Sequence, residues 1–216
     1  MSFFLTHSRN GLTVGFTILL FVLTSHADIN CAAANPPSDP VECMACNIKY
    51  ESGDEPIEGQ RGVVYTVYNR ALNRTPGGKS TICGQIYEKD QYSWTKPEIQ
   101  KDPTLKSDEA EKFKKIAKDI MDEIDKKQFP NPPNSDGDTN CATHYHTEQK
   151  NVGGMGDYPD WSAWGKNSGG YEKAGKIGGH LFSRDGKGMP KCVSQASESE
   201  LSEISKATGI GAGSSK

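Results

Sequence analysis

Residues 51–60, ESGDEPIEGQ, hold four carboxylates, Glu51, Asp54, Glu55 and Glu58, within eight positions. Gly53 and Pro56 interrupt the run and oppose a continuous helix, so the acids are expected at a bend that leads into a helix. A carboxyl group at such a boundary, half buried among other acids, is placed for a raised pKa. That is the property a general acid needs to stay protonated near neutral pH. The plainer reading of the same residues is a solvated acidic turn with a helix cap.

The histidines form the second candidate set. His7 and His26 lie near the N-terminus, while His144, His146 and His180 lie in a region rich in Gly and aromatics. THYH, residues 143–146, puts His144 and His146 on one face if it is a strand. Three histidines can ligate zinc and leave a position open for water, which keeps a zinc-dependent hydrolase as an alternative. They can equally orient loops through hydrogen bonds.

The elements that must hold these residues follow from periodicity. After the bend, residues 57–72 read as a helix with Val63, Val64, Val67, Tyr68, Ala71 and Leu72 as its stripe; the β-branched content leaves a strand open, and the length favours helix. Residues 108–127 place Phe113, Ile116, Ala117, Ile120, Met121 and Ile124 at helical spacing, with Asp108 and Glu109 at the start and Lys126 and Lys127 at the end, matching the helix dipole. That helix is scaffold. A short helix is expected over 41–50 and a strand or hairpin over 82–94. TPGGKS (75–80) is a turn that lacks the spacing of a phosphate loop. Residues 129–138 form a Pro/Asn/Asp loop, and 139–184 form loops and short strands.

The chain of 216 residues, with net charge −3 and mean hydropathy −0.68, suits one soluble domain with a leader and a tail. It has no basic run or stripe, which argues against a nucleic-acid partner. Six cysteines, at 31, 43, 46, 83, 141 and 192, suit disulfides in an exported protein, although the pairing cannot be chosen from sequence. The C-x-x-C of Cys43 and Cys46 also allows zinc or redox chemistry, but no second such pair completes a zinc site. Residues 1–27 read as a signal peptide: Arg9 precedes an apolar run at 12–23, and Ser25-His26-Ala27 fits a cleavage site. An uncleaved anchor is the rival reading. Residues 28–40 are expected as a linker, 41–192 as the domain and 193–216 as a flexible Ser/Gly-rich tail, with a marginal helix over 198–207 as the alternative.

The order of motifs resembles the SleB/CwlJ-type cell wall hydrolase family. That family opens with Glu-Ala-Arg-Gly-Glu-Pro-x-Glu-Gly-Gln and a helix ending Asn-Arg; here these are ESGDEPIEGQ and VVYTVYNR, residues 63–70. Its C-G-x-x-Y and Gln-aromatic-Ser segments match Cys83 to Tyr87 and Gln91-Tyr92-Ser93. Its Ala-Thr-His-aromatic-His matches residues 142–146. Its Trp and Ile-Gly-x-His-x-Phe match Trp161 or Trp164 and IGGHLF, residues 177–182. The chain departs in three places. Ser52-Gly53-Asp54 replaces Ala-Arg-Gly, so a basic neighbour of the acid is missing. Cys141 replaces a Gly, which fits a disulfide pinning the THYH loop. Residues 150–159 are an insertion.

The resemblance implies an α+β, mainly α, lysozyme-like catalytic domain with a small β/loop lobe over a saccharide cleft. It implies a monomeric exported enzyme acting on peptidoglycan glycan strands, without cofactor or stable membrane insertion. Glu51 would be the general acid for the bond between N-acetylmuramic acid and N-acetylglucosamine. Glu55 would be a second carboxyl or the residue that holds the bend. Gln60, Tyr68, Gln91, Ser93, Thr143, His144, Tyr145, His146 and Trp161 would bind the saccharide. A lytic transglycosylase needs one carboxyl; a muramidase needs a second or a positioned water. A non-catalytic wall-binding or inhibitor protein is the third class.

Overall fold

The structure, a computed structural model, describes residues 27–73, 81–89, 91–97, 99, 102–130, 141–147, 171–185 and 191–206. The leader up to residue 26, the TPGGKS turn, the 131–138 loop segment, the 150–159 insertion with Trp161 and Trp164, and the end of the tail lie outside the described residues.

Helix α1 (Pro40–Ser52) starts where Asp39 accepts a hydrogen bond from Val41 N–H at 2.8 Å and Pro40 occupies the first turn. Helix α2 (Ile57–Asn73) follows the acidic bend. Its Val63, Val64, Tyr65, Val67 and Tyr68 are all fully buried, so the helix is apolar around most of its circumference and runs through the middle of the protein. Burial on several sides selects helix over strand despite three valines. Helix α4 (Ser107–Asp125) buries Ala110, Phe113, Ala117, Ile120, Met121 and Ile124, the spacing read from sequence, and leaves Ile116 half buried. It packs on α1 and is tied to α2 by the paired Arg61–Glu123 contacts at 3.0 and 3.1 Å. No helix among the described residues is long and apolar enough to cross a membrane.

Residues 82–94 differ from the expected strand. They form a short helix α3 (Ile82–Ile86) and a 3-10 turn at Ser93–Thr95. Thr81 caps α3 by accepting from Gly84 N–H at 3.1 Å, and Cys83 is bonded to Cys43 of α1, which holds this segment against the helices.

The segment expected as a linker, and the tail expected as flexible or as a marginal helix, are both part of the fold. The linker at 28–40 contains β1 (Ile29–Asn30), which pairs antiparallel with β2 (Thr104–Leu105), and Cys31 is bonded to Cys46. The start of the tail carries a 3-10 turn (Val193–Gln195) and α5 (Glu198–Ile204), whose Leu201 and Ile204 are buried with Val193. A capping box between Ser197 and Glu200 starts α5, and Lys191 together with that cap holds the Glu200 pKa down to about 2. Apolar residues spaced within a Ser- and Glu-rich stretch were enough to dock it.

The second layer is a three-stranded antiparallel sheet in the order β3 (His144–Thr147), β5 (His180–Asp185), β4 (Tyr171–Ile177). Among the described residues its own apolar cluster is Ala142, Ala174, Ile177 and Phe182, with Tyr145 packed alongside. Phe182 lies so close to α2 that a Cβ on Gly62 would come within 2.5 Å of its ring. The third disulfide, Cys141–Cys192, joins the start of β3 to the segment before α5. All six cysteines are thus paired, and neither member of the C-x-x-C is bonded to the other.

Candidate active site

Glu51 sits in the last turn of α1, one position before its end, and is half buried. The bend therefore follows the acid, and α1 rather than α2 carries it. The hydroxyl of Tyr145, on β3, donates to Glu51 Oε2 at 3.0 Å. Burial pushes the Glu51 pKa up, against the opposing pull of that hydrogen bond and of the Arg70 guanidinium. Burial also holds the Tyr145 pKa well above that of an ordinary phenol, and the neighbouring Glu51 adds to the shift.

Arg70 comes from the end of α2. Its Nε donates to the Thr143 carbonyl at 2.6 Å, and its guanidinium lies 5.3 Å from the centre of the buried Tyr92 ring. Asn69 beside it donates from Nδ2 to the Ala142 carbonyl and accepts from Val193 N–H, both at 2.7 Å. The Asn-Arg pair closing α2 thus grips the two backbone carbonyls that lead into β3. The cation missing after Glu51 in the sequence is supplied by Arg70, nineteen positions later in the chain.

Glu55 has a different environment. Both of its oxygens accept from Gly179 N–H, at 3.0 and 3.3 Å, and Oε1 is 3.5 Å from His180 Nδ1. Gly178 has φ +55°, and a Cβ there would run into the Glu55 carboxylate. Glu55 therefore clamps the β4–β5 turn to the bend before α2. Gln60 is buried and donates from Nε2 to the Glu55 carbonyl at 3.0 Å, so its side chain stabilises the bend.

The other expected site residues divide. Thr143 is buried with its N–H on the Ser183 carbonyl and its hydroxyl 3.0 Å from His144 Nδ1. Gln91 is half buried and accepts from Gln85 Nε2 at 3.3 Å, and Ser93 is exposed. Tyr68 is corrected: it is fully buried, its hydroxyl 3.3 Å from Ser205 at the end of α5, so it is core and cannot line a groove. Trp161 and the side chain of His146 lie outside the described residues. The sequence reading passed over Arg70 and Tyr92. Arg70 ends the VVYTVYNR segment and Tyr92 stands between Gln91 and Ser93, so both were inside motifs, but nothing local marks a residue that acts across the fold.

Among the described residues, His144 and His180 are not brought together, and the side chain of His146 lies outside them. Tyr145 pairs with Phe182 and His144 with Ser183 across β3 and β5. Cross-strand partners share a face and neighbours alternate, so His180, two positions from Phe182, shares a face with Tyr145 while His144 is on the other. The ring contact of Tyr145 with His180, 5.3 Å between centroids, agrees.

A mainly helical α+β domain with a small antiparallel sheet, and a half-buried carboxyl where the two meet, defines a candidate acid–base enzyme. A model of the cell wall hydrolase family matches residues 54–183. The match covers more than half of the 216-residue chain, and the protein belongs to that family. Glu51 lies three positions before the matched span. Comparison with curated proteins and with solved structures gives no match. Family membership supports a peptidoglycan-degrading enzyme, and three disulfides without a free cysteine suit an oxidising compartment outside the cytoplasm.

Proposed function

We propose that this enzyme is an exported lytic transglycosylase that cleaves the β-1,4 bond between N-acetylmuramic acid and N-acetylglucosamine, with Glu51 as its one catalytic carboxyl. The observation that carries this is the Glu51 carboxyl, partly buried, pushed toward its protonated form and hydrogen-bonded by Tyr145. The acid donates its proton to the glycosidic oxygen as an oxocarbenium-like centre develops at the muramyl C1. The resulting carboxylate then takes the proton of the muramyl 6-hydroxyl as that oxygen closes the anhydro ring. One group serves both steps, so no second carboxylate is needed. Glu55 supports this reading because its oxygens are engaged with Gly179, which makes it a positioning residue of the bend. Exposed Ser93 and half-buried Gln91 and His144 are proposed sugar contacts, with His146 and Trp161. Export would use the apolar run at 12–23 as a signal peptide.

Mass analysis of peptidoglycan digested by the purified protein tests the proposal. Anhydro-muramyl ends are expected. Reducing muramyl ends would assign hydrolysis instead, and products cut in the stem peptides would remove the glycosidase reading.

A further inference from the structure

Tyr145 is held unusually well for a residue on a four-residue strand. In the three positions before it, the Ala142 carbonyl accepts from Asn69 at 2.7 Å, the Thr143 carbonyl accepts from Arg70 at 2.6 Å, and Thr143 N–H donates to Ser183 at 2.9 Å. Cys141 is fixed to Cys192. The ring itself is wedged edge-on against His180 and tilted on Phe182, with centroids 5.3 and 5.8 Å away. A ring fixed in this way has little freedom to adjust to a sugar, but its hydroxyl has a defined target, Glu51 Oε2 at 3.0 Å.

A carboxylic acid has two oxygens and one proton. An oxygen that accepts from a phenol is the poorer place for that proton, because the carbonyl-type oxygen is the better acceptor. We infer that Tyr145 is a positioning residue for proton transfer, which by donating to Oε2 of Glu51 confines the transferable proton to Oε1. The inference rests on the reading of Glu51 as the acid. In the forward step the Oε1–H bond breaks and an O–H bond forms on the glycosidic oxygen. The C1–O bond breaks with its electron pair on that oxygen. Tyr145 keeps its own proton, and its hydrogen bond strengthens as charge develops on the carboxylate. Ring closure returns the 6-hydroxyl proton to Oε1. Among the described residues, the ionisable groups facing Glu51 are Tyr145 from β3, Arg70 from α2 and Tyr92 from the segment before the first 3-10 turn. Arg70 and Tyr145 both favour the ionised acid.

Tyr145→Phe keeps the ring and deletes the donor. On soluble glycan strands we expect kcat to fall about 10- to 100-fold, the worth of a hydrogen bond to a group that becomes charged, with KM unchanged. Losing a bond that favours the carboxylate raises the Glu51 pKa, so the alkaline limb of kcat should move to higher pH. A near-native kcat with an unmoved limb overturns the inference, as does a raised KM with kcat retained, which would make Tyr145 a sugar contact. If Tyr145→Phe melts early, 3-fluorotyrosine at position 145 replaces it. Its more acidic hydroxyl is a stronger donor, so the limb should move to lower pH, and an unmoved limb again overturns the inference. Glu51→Gln is assayed alongside. If Glu51→Gln is active, the acid assignment itself fails; if it is inactive while Tyr145→Phe behaves as wild type, only the positioning role fails.

Discussion

The helical frame and the small sheet are stabilised by different means. The frame buries Met44, Ile48, Tyr65, Val67, Phe113, Ile120, Ile124 and others in one continuous cluster, with the Cys31–Cys46 and Cys43–Cys83 bonds inside it. Among the described residues, the sheet has a separate cluster of four buried apolar residues, far smaller than that of the frame. Besides the packing of Phe182 on α2 and of Tyr145 on the frame, it is held by discrete ties: Asn69 and Arg70 on the lead-in to β3, Glu55 on the β4–β5 turn, and Cys141–Cys192. Glu51 belongs to the part with its own core and its hydrogen-bond partner Tyr145 to the part that is tied on. The geometry of the site therefore depends on the ties more than on the overall stability of the domain.

The largest expected effect is on activity alone. Glu51→Gln should lower peptidoglycan clearing by about 10² to 10⁴, since a positioned general acid is worth that much. The frame should be undisturbed. Because burial raises the folded-state pKa of Glu51, its contribution to stability is present in acid and is lost as pH rises through that pKa. Gln has no such loss. Melting curves should therefore coincide in acid and favour Glu51→Gln above the folded pKa. A variant that melts earlier at neutral pH would show that the carboxylate stabilises the frame.

Next comes the tie that closes the longest loop. Replacing Cys141 and Cys192 by Ser opens a separation of 51 residues, worth about 4 kcal/mol in the chain-entropy picture, against about 3 kcal/mol for the 15 residues of Cys31–Cys46. Hydrogen exchange would locate the damage. Amides of β3 and β5 should lose protection at lower denaturant than those of α1 and α4. Uniform loss across both layers would mean that the sheet is not a separate dependent unit.

A smaller change tests the clamp at the turn. Gly178→Ala puts a side chain where φ is +55° and against the Glu55 carboxylate, which should cost about 1–3 kcal/mol. Activity should fall more than the loss of folded protein explains, because His180 and Phe182 beside Tyr145 shift with the turn. Thermal melts paired with clearing assays on the fully folded fraction separate the two effects.

The frame was largely legible in the sequence because its signals are local. The spacing of Phe113 to Ile124 defined α4 within two residues of each end, and 57–72 reads as α2. The motif order placed Glu51 and Tyr145 in the candidate site. Their contact crosses 94 positions, and neither residue's surroundings in sequence mark the other. Tyr68 shows the reverse error: within a motif it reads as a site residue, yet on a helix buried on most sides its position faces α5. The order in 28–40 was not legible because a two-residue strand has no periodicity to detect, and the helix near 198–207 stayed one of two readings because seven residues carry too little of it; what orders them is pairing with β2 and docking on the core.

The crossed use of Cys43 and Cys46 bears on how the protein must be made. The two thiols lie three positions apart and belong to different bonds, with partners at 83 and 31. In a reduced, unfolded chain the shortest loop closes at the least entropic cost, so a Cys43–Cys46 bond is the natural first product of oxidation. That bond must be exchanged before either native one can form, through attack by a thiolate elsewhere in the chain. Efficient production should therefore call for an export route that carries disulfide isomerase activity, not an oxidant alone. Refolding in a balanced mixture of reduced and oxidised glutathione should outperform air oxidation.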